Sequence, residues 1–322
     1  MKTRIIPMIA LAACGFVFSA CSINKLAMNA VADALTAEGS SDVFTGDSDP
    51  QLVGDAIPFA IKMYESLLSA NPEHQGLLNT TGMLFVMYAN AFVQGPAEML
   101  PRVRFAERQA AMERARNLYL RGLNILYQGL DLKYPGFTGA YQRGILPDIL
   151  ARMKKADVPA LYWSAAAGLS AFSLNPFDID LGVRVQEFYS LVERAYELDP
   201  DFNNGALDEF LLIYHASIPA MMGGDISRVD FHFQRAMEKS EGLSAGLYVA
   251  YAQSVSIPAQ DFDKFKDLLE TALSIDIDRN PSNRLVNIIS RQKARYLLDS
   301  AALFFIDFDD DSDWMSGDDE DW

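Results

Sequence analysis

Residues 185–200 read VQEFYSLVERAYELDP, and this stretch decides the fold. Val185, Phe188, Val192 and Ala195 recur at spacings of three and four, with Leu191 and Leu198 beside them. On a helix that turns every 3.6 residues this makes one apolar stripe and leaves the other face polar. Asp199-Pro200 closes the stretch, because proline lacks the amide hydrogen that a helix interior donates and the Asp before it turns the chain. Outward from here the pattern repeats. Phe262, Phe265, Leu268, Leu269 and Ala272 form a second stripe. The breakers Asn71-Pro72, Gly95-Pro96, Pro135-Gly136, Asn175-Pro176, Gly223-Gly224 and Asn280-Pro281 bound runs of about 12 to 25 residues. Strict alternation, the mark of a strand, is almost absent. From Leu52 to Ile306 the sequence predicts an all-α body of roughly ten to twelve helices, paired antiparallel through short connections.

Several helix ends are alike. Ala171-Phe172-Ser173-Leu174-Asn175-Pro176 and Ala195-Tyr196-Glu197-Leu198-Asp199-Pro200 share Ala-aromatic-x-Leu-x-Pro, with Ala236 and Ala272 in weaker versions. This resembles the end of the second helix in tetratricopeptide repeats, where a small Ala lets paired helices approach closely. Spacings of 24, 41 and 36 residues depart from a period of about 34, so degenerate tetratricopeptide-like pairs in an α-solenoid or superhelical bundle are expected. The alternative is an irregular helical bundle whose helices end in Asx-Pro.

The N-terminus reads as a secretory signal that ends in a cysteine. Lys2 and Arg4 precede an uncharged run, Ile5 to Phe18, of about 14 residues, the length of a signal-peptide core. Ser19-Ala20-Cys21 then resembles the lipobox of bacterial lipoproteins, with Phe18 in place of the usual aliphatic residue. Residues 1–20 are read as signal peptide and Cys21 as the lipidated residue. Residues 21–51 read as a tether in which Ile23 to Leu35 has helical composition, 52–306 as the helical domain and 307–322 as a disordered acidic tail. The other cysteine, Cys14, lies inside the signal, so no internal disulfide is available to the mature protein. No second apolar stretch reads as a transmembrane helix. The expected location is extracytoplasmic, in the periplasm, with acyl chains holding the protein to a membrane.

Charge and chemistry narrow the function. The net charge is −16, and Asp307, Asp309, Asp310, Asp311, Asp313, Asp318, Asp319, Glu320 and Asp321 gather at one end. Neither body nor tail offers the basic face that a nucleic acid needs. Asp307, Asp309, Asp311 and Asp318 fall on calcium-loop positions, but Ser312 stands where the sharp turn needs Gly. No nucleophile elbow, phosphate loop, dinucleotide fingerprint or His-Glu-x-x-His occurs, so neither enzyme nor cofactor nor metal is expected. Of the histidines, His74 is placed at the surface, His215 in the core as a hydrogen-bonded residue, and His232, between Phe231 and Phe233, on a polar side.

Tyr64-Glu65-Ser66-Leu67-Leu68, Asn90-Ala91-Phe92-Val93-Gln94-Gly95-Pro96, Leu118-Tyr119-Leu120-Arg121-Gly122-Leu123 and Tyr162-Trp163-Ser164-Ala165-Ala166-Ala167-Gly168, with Arg194 to Pro200 and Gly205-Ala206-Leu207, carry a further likeness. In this order, from Leu52 to Leu303, they resemble the tetratricopeptide-type lipoproteins associated with TRAP transporters, the T component. The resemblance implies a homotrimer, a TRAP-type solute-binding protein as partner, and an apolar cavity or pore for a hydrophobic small molecule. A structural adaptor for envelope assembly, without a ligand of its own, is the alternative. The glycine- and aromatic-rich loop Tyr134 to Tyr141 either packs on the core or lines a ligand site; Phe137, Tyr141 and Trp163 are the candidate ligand-binding residues. Cys21→Ser is expected to move the protein from the detergent phase to the aqueous phase on partitioning. Unchanged partitioning would remove the lipoprotein reading.

Overall fold

The computed structural model describes residues 28–37, 39–40 and 42–306, so the signal segment, Cys21 and the acidic segment 307–322 lie outside it. Helices are α1 at residues 28–35, α2 Pro50–Ala70, α3 Gln75–Ala89, α4 Phe105–Lys133, α5 Val158–Leu174, α6 Val185–Leu198, α7 Ala206–Ser217, α8 Val229–Lys239, α9 Ala245–Tyr251, α10 Phe262–Ser274 and α11 Arg284–Asp299. Among the described residues there is no strand. The chain divides into two compact units. One takes residues up to Phe44 with Gln51–Ala97 and Arg102–Ala195; the other takes Thr45–Pro50, Glu98–Pro101 and Tyr196 onward.

In the first unit α4 packs on α3 and α5. Glycines set the distances. A Cβ on Gly122 of α4 would come within 2.9 Å of the Gly82 carbonyl oxygen of α3, and one on Gly82 within 3.0 Å of the Gly122 carbonyl. The two backbones therefore touch where they cross. Gly168 of α5 likewise admits the ring of Phe188 from α6, whose carbons would lie 2.4 Å from any Cβ there. Phe188, Leu191, Val192 and Ala195, the stripe read in the sequence, are fully buried. The alanines at the alike helix ends, Ala171, Ala195, Ala236 and Ala272, are also buried. In the second unit α7 packs on α8, while α9, α10 and α11 pack on one another around Leu247, Phe265, Leu269 and Leu297.

Three expectations need correction. Part of the segment read as tether is docked: Ala32 is buried, Tyr64 donates to the Leu35 carbonyl at 2.7 Å, and Asn71 donates to Asn29. His74 is not a free surface residue. Its Nδ1 accepts from the Leu77 amide at 3.1 Å, capping α3, which leaves the Nε2 hydrogen for Asp33 at 3.1 Å. Gly95-Pro96 does not break the helix. Asn90–Gln94 forms a π-turn and the chain continues helically as Gly95–Glu98, the wider turn relieving the proline ring's clash with the carbonyl four residues back. Gln75–Glu98 thereby becomes one helix long and apolar enough to cross a membrane by length and composition, which the sequence reading had not found; half of it is buried in the protein.

The π-turn recurs in the second unit at Ala252–Ser256. Each has a Tyr-Ala pair at its start and a Pro-Ala pair just beyond it: Tyr88-Ala89 before the first turn with Pro96-Ala97 after it, and Tyr251-Ala252 straddling the start of the second with Pro258-Ala259 after it. Among the described residues the same local solution is used once in each unit.

Gly122→Val should cost about 1–3 kcal/mol, since the added carbons meet backbone that cannot step aside. In a body of this size that is a fall of about 3–10 °C in the thermal midpoint, read by circular dichroism. An unchanged midpoint would show that the α3–α4 crossing is loose.

Candidate functional site

The segment between α4 and α5 holds two of the three aromatic residues singled out from the sequence. Its turns use Gly136, Gly139 and Gly144 at positive φ. Arg143 ties them by donating to the carbonyls of Gly136 and Thr138, and Asp131 accepts from the Thr138 amide at 3.0 Å. Below, Asp157 is buried and accepts from Lys133, from the Tyr134 hydroxyl at 2.6 Å and from the Lys154 amide at 2.8 Å. Burial, followed by the bond to Asp157, pushes the Tyr134 hydroxyl up to about 12. Phe137 is enclosed, its ring edge-on to Tyr127 at 5.0 Å. Tyr141 is half-buried on the same loop, and Trp163 is half-buried on α5, edge-on to Tyr162 at 5.0 Å. Among the described residues no ring contact joins the three to one another.

Behind Phe137 lies a buried lock. The Tyr127 hydroxyl donates to Glu187 Oε1 at 2.6 Å, and Arg184 donates to the same carboxylate at 2.8 and 3.2 Å while stacking over Tyr127 and Phe188. Burial, and then the Glu187 charge, drive the Tyr127 hydroxyl well above its ordinary range. The group joins α4 to α6, with Tyr127 and Glu187 buried and Arg184 reaching partly to the surface.

A second buried cluster sits in the other unit. Asp208 of α7, fully enclosed, accepts from His232 Nδ1 and from Lys239 Nζ, each at 2.8 Å. His215 stacks on His232 with ring centres 5.8 Å apart and planes within 10°. Burial works against ionised Asp208, yet the bonds from His232 and Lys239 outweigh it and hold the carboxyl below its ordinary value. Burial first, then the charges of Arg228 and His232, push His215 down to about 4. His232 is buried, which corrects the sequence reading. Its helix buries Val229, His232, Phe233 and Ala236, a helical face, whereas the Phe-His-Phe reading used the alternation of a strand. An Asp-His pair is the chemistry of a base and its orienter, and here both are enclosed. The turn Met221 to Gly224, which holds the breaker Gly223-Gly224, is pinned. Tyr214 donates to the Met222 carbonyl at 3.1 Å, and a Cβ on Gly224 would fall 1.6 Å from the Ile218 carbonyl oxygen.

An open groove of about 400 Å³ runs along α4, lined by Ala110, Glu113, Arg114, Asn117, Leu118 and Arg121. Sequence reasoning passed over it, although the run of arginines from Arg102 to Arg121 was a visible signal. Among the described residues no cluster of His, Cys, Asp and Glu has the makings of a metal centre.

Comparison with known proteins gives two findings. The family described as TRAP transporter T-component matches residues 46–305. A protein of Treponema pallidum (strain Nichols), carrying the name "Uncharacterized protein", is 34% identical over 317 residues, covering 91% of this chain and 98% of that one.

The histidine stack predicts acid sensitivity. Since the folded pKa of His215 is about 4 against an ordinary 6.5, unfolding takes up a proton between these values. Stability from this group is therefore complete above pH 6.5 and is lost as the pH falls toward 4. The groups facing it are His232 on α8 and Asp225 and Arg228 on the loop. Glu209, pushed up to about 7 by burial, runs the opposite way but is common to both proteins compared. Between pH 7 and pH 5 the wild type should lose about 4–8 °C of midpoint relative to His215→Phe. Parallel curves would show that His215 is protonated in the fold.

Proposed function

Since the chain belongs to the TRAP transporter T-component family, we propose that it is a lipid-anchored, non-enzymatic, periplasmic accessory that binds an extracytoplasmic solute-binding protein. The family match carries this reading, because it spans nearly the whole helical body. Lipid on Cys21 would hold that body at a membrane. Degenerate tetratricopeptide-like pairs would present an extended binding surface, and a homotrimer is part of the same proposal. Surface chemistry supports a partner-binding role. Phe177 is 92% exposed and Met221 92%, and Ile179, Val183 and Ile226 are exposed as well. Large apolar side chains left on loops in this number suit protein contact.

A hydrophobic ligand belongs to the proposal too, with Tyr141 and Trp163 as half-exposed rings and Phe137 as the wall behind them. One observation favours the second reading, an adaptor without a ligand: the protein's own side chains already enclose Phe137.

Two measurements test this. Purified protein should bind the TRAP-type solute-binding protein of the same organism, seen as co-elution on gel filtration; no association at tens of micromolar would sink the accessory reading. Tyr141→Ala with Trp163→Ala should at least halve uptake of an apolar fluorescent probe with circular dichroism unchanged. If the wild type takes up none, the adaptor reading replaces the ligand-binding one.

A further inference from the structure

Resting on the reading above, we propose that the groove between Arg114 and Arg121 of α4 is where the solute-binding partner docks, by an acidic amphipathic helix. Charge concentration is the first support. Six of the chain's 27 basic residues, Arg102, Arg104, Arg108, Arg114, Arg116 and Arg121, fall within residues 102–121, against Glu107 and Glu113, in a chain of net charge −16. A concentration of cations of this kind attracts an acidic partner. Arg279, Arg284, Arg291, Lys293 and Arg295 form a second basic stretch, so the choice of α4 rests on how two of its arginines are held.

Arg104 is paired with Glu107, and Arg116 with Asp178. Arg121 is paired with Glu65, but it shares a second feature with Arg114. Both are exposed, and each guanidinium lies over an aromatic ring, Arg114 over Tyr88 at 5.5 Å and Arg121 over Phe85 at 4.8 Å. Stacking restricts the guanidinium plane and spares its in-plane N–H groups, so little entropy is lost when a carboxylate arrives. Arg114 also donates to the Tyr88 hydroxyl at 3.3 Å, and Arg121 gives one terminal nitrogen to Glu65. These contacts hold the two side chains and use only part of their donor capacity.

Spacing supplies the partner's form. Arg114 and Arg121 are two helical turns apart, about 10 Å along the axis. Between them the groove floor carries Leu118 and Asn117. Two held cations at that separation, with Leu118 and Asn117 between them, match carboxylates seven residues apart on a helix that carries one apolar and one polar side chain between them.

The test uses full-length protein in detergent and the TRAP-type solute-binding protein of the same organism. Affinity is measured at low and high salt for the wild type, Arg114→Glu, the double variant Arg114→Glu/Arg121→Glu, and Asn117→Trp. The last fills the groove and touches no ion pair. The double variant and Asn117→Trp should each weaken binding at least tenfold with circular dichroism unchanged, and the double variant should flatten the salt dependence. If the wild type binds and these variants bind equally well, the groove is overturned and the accessory reading stands. If the wild type does not bind, both fall. If the variants alter the mass of the protein alone in light scattering, the groove is an interface between copies and the partner proposal is overturned.

Discussion

The contact of backbone with backbone at Gly82 and Gly122 is the constraint on which the first unit depends. With no Cβ at either position, α3 and α4 close until each glycine's carbonyl oxygen lies about 3 Å from where the other's side chain would start. That depth fixes which part of α4 is buried. Its core positions run from Ala115 to Leu130, and none of the ten residues before Ala115 is buried. A helix of 29 residues thus keeps one half in the core and holds the other half out as a rigid, arginine-bearing surface. The fold creates the exposed surface by the same geometry that creates the core.

Charge is divided along the same line. The buried charges each have partners: Glu187 with Tyr127 and Arg184, Asp157 with Lys133 and Tyr134, Asp208 with His232 and Lys239. Taking a carboxylate out of water is costly, and losing one partner of such a group typically costs about 3–5 kcal/mol. These clusters therefore hold helices in one register: Tyr127 with Glu187 links α4 to α6, and Asp208 with His232 links α7 to α8. Their carboxylates are buried, while Lys133 and Arg184 reach partly to solvent. What reaches solvent includes exposed apolar side chains and cations stacked on aromatic rings, which is chemistry suited to recognition.

The helical class and most helix ends were legible because they rest on local rules. The stripe from Val185 to Ala195 is buried as read, and Asn71-Pro72, Asn175-Pro176 and Asp199-Pro200 each end a helix. Misreadings came where a local rule met a second option. Gly95-Pro96 is a breaker only if the turn before it is a regular α-turn; a π-turn lets the helix pass. His232 was read with its sequence neighbours, although on a helix its neighbours are three and four residues away. The helical composition of Ile23 to Leu35 was legible, but the docking of residues 28–36 was not, since it depends on Tyr64, Asn71 and His74 further along the chain. The α4 groove was hidden for a similar reason: arginines read as a solvated face until the rings of Phe85 and Tyr88 are placed beneath them.

Hydrogen exchange of the full chain, alone and with the solute-binding protein, tests most directly whether function lies on the exposed half of α4 and not in the buried clusters. On adding the partner, amides within residues 105–121 should exchange more slowly, while those of α7 and α8 around Asp208 and His232 keep their rates. Unchanged exchange over 105–121, with altered exchange at Asp208 and His232, would contradict the account and return attention to the enclosed cluster.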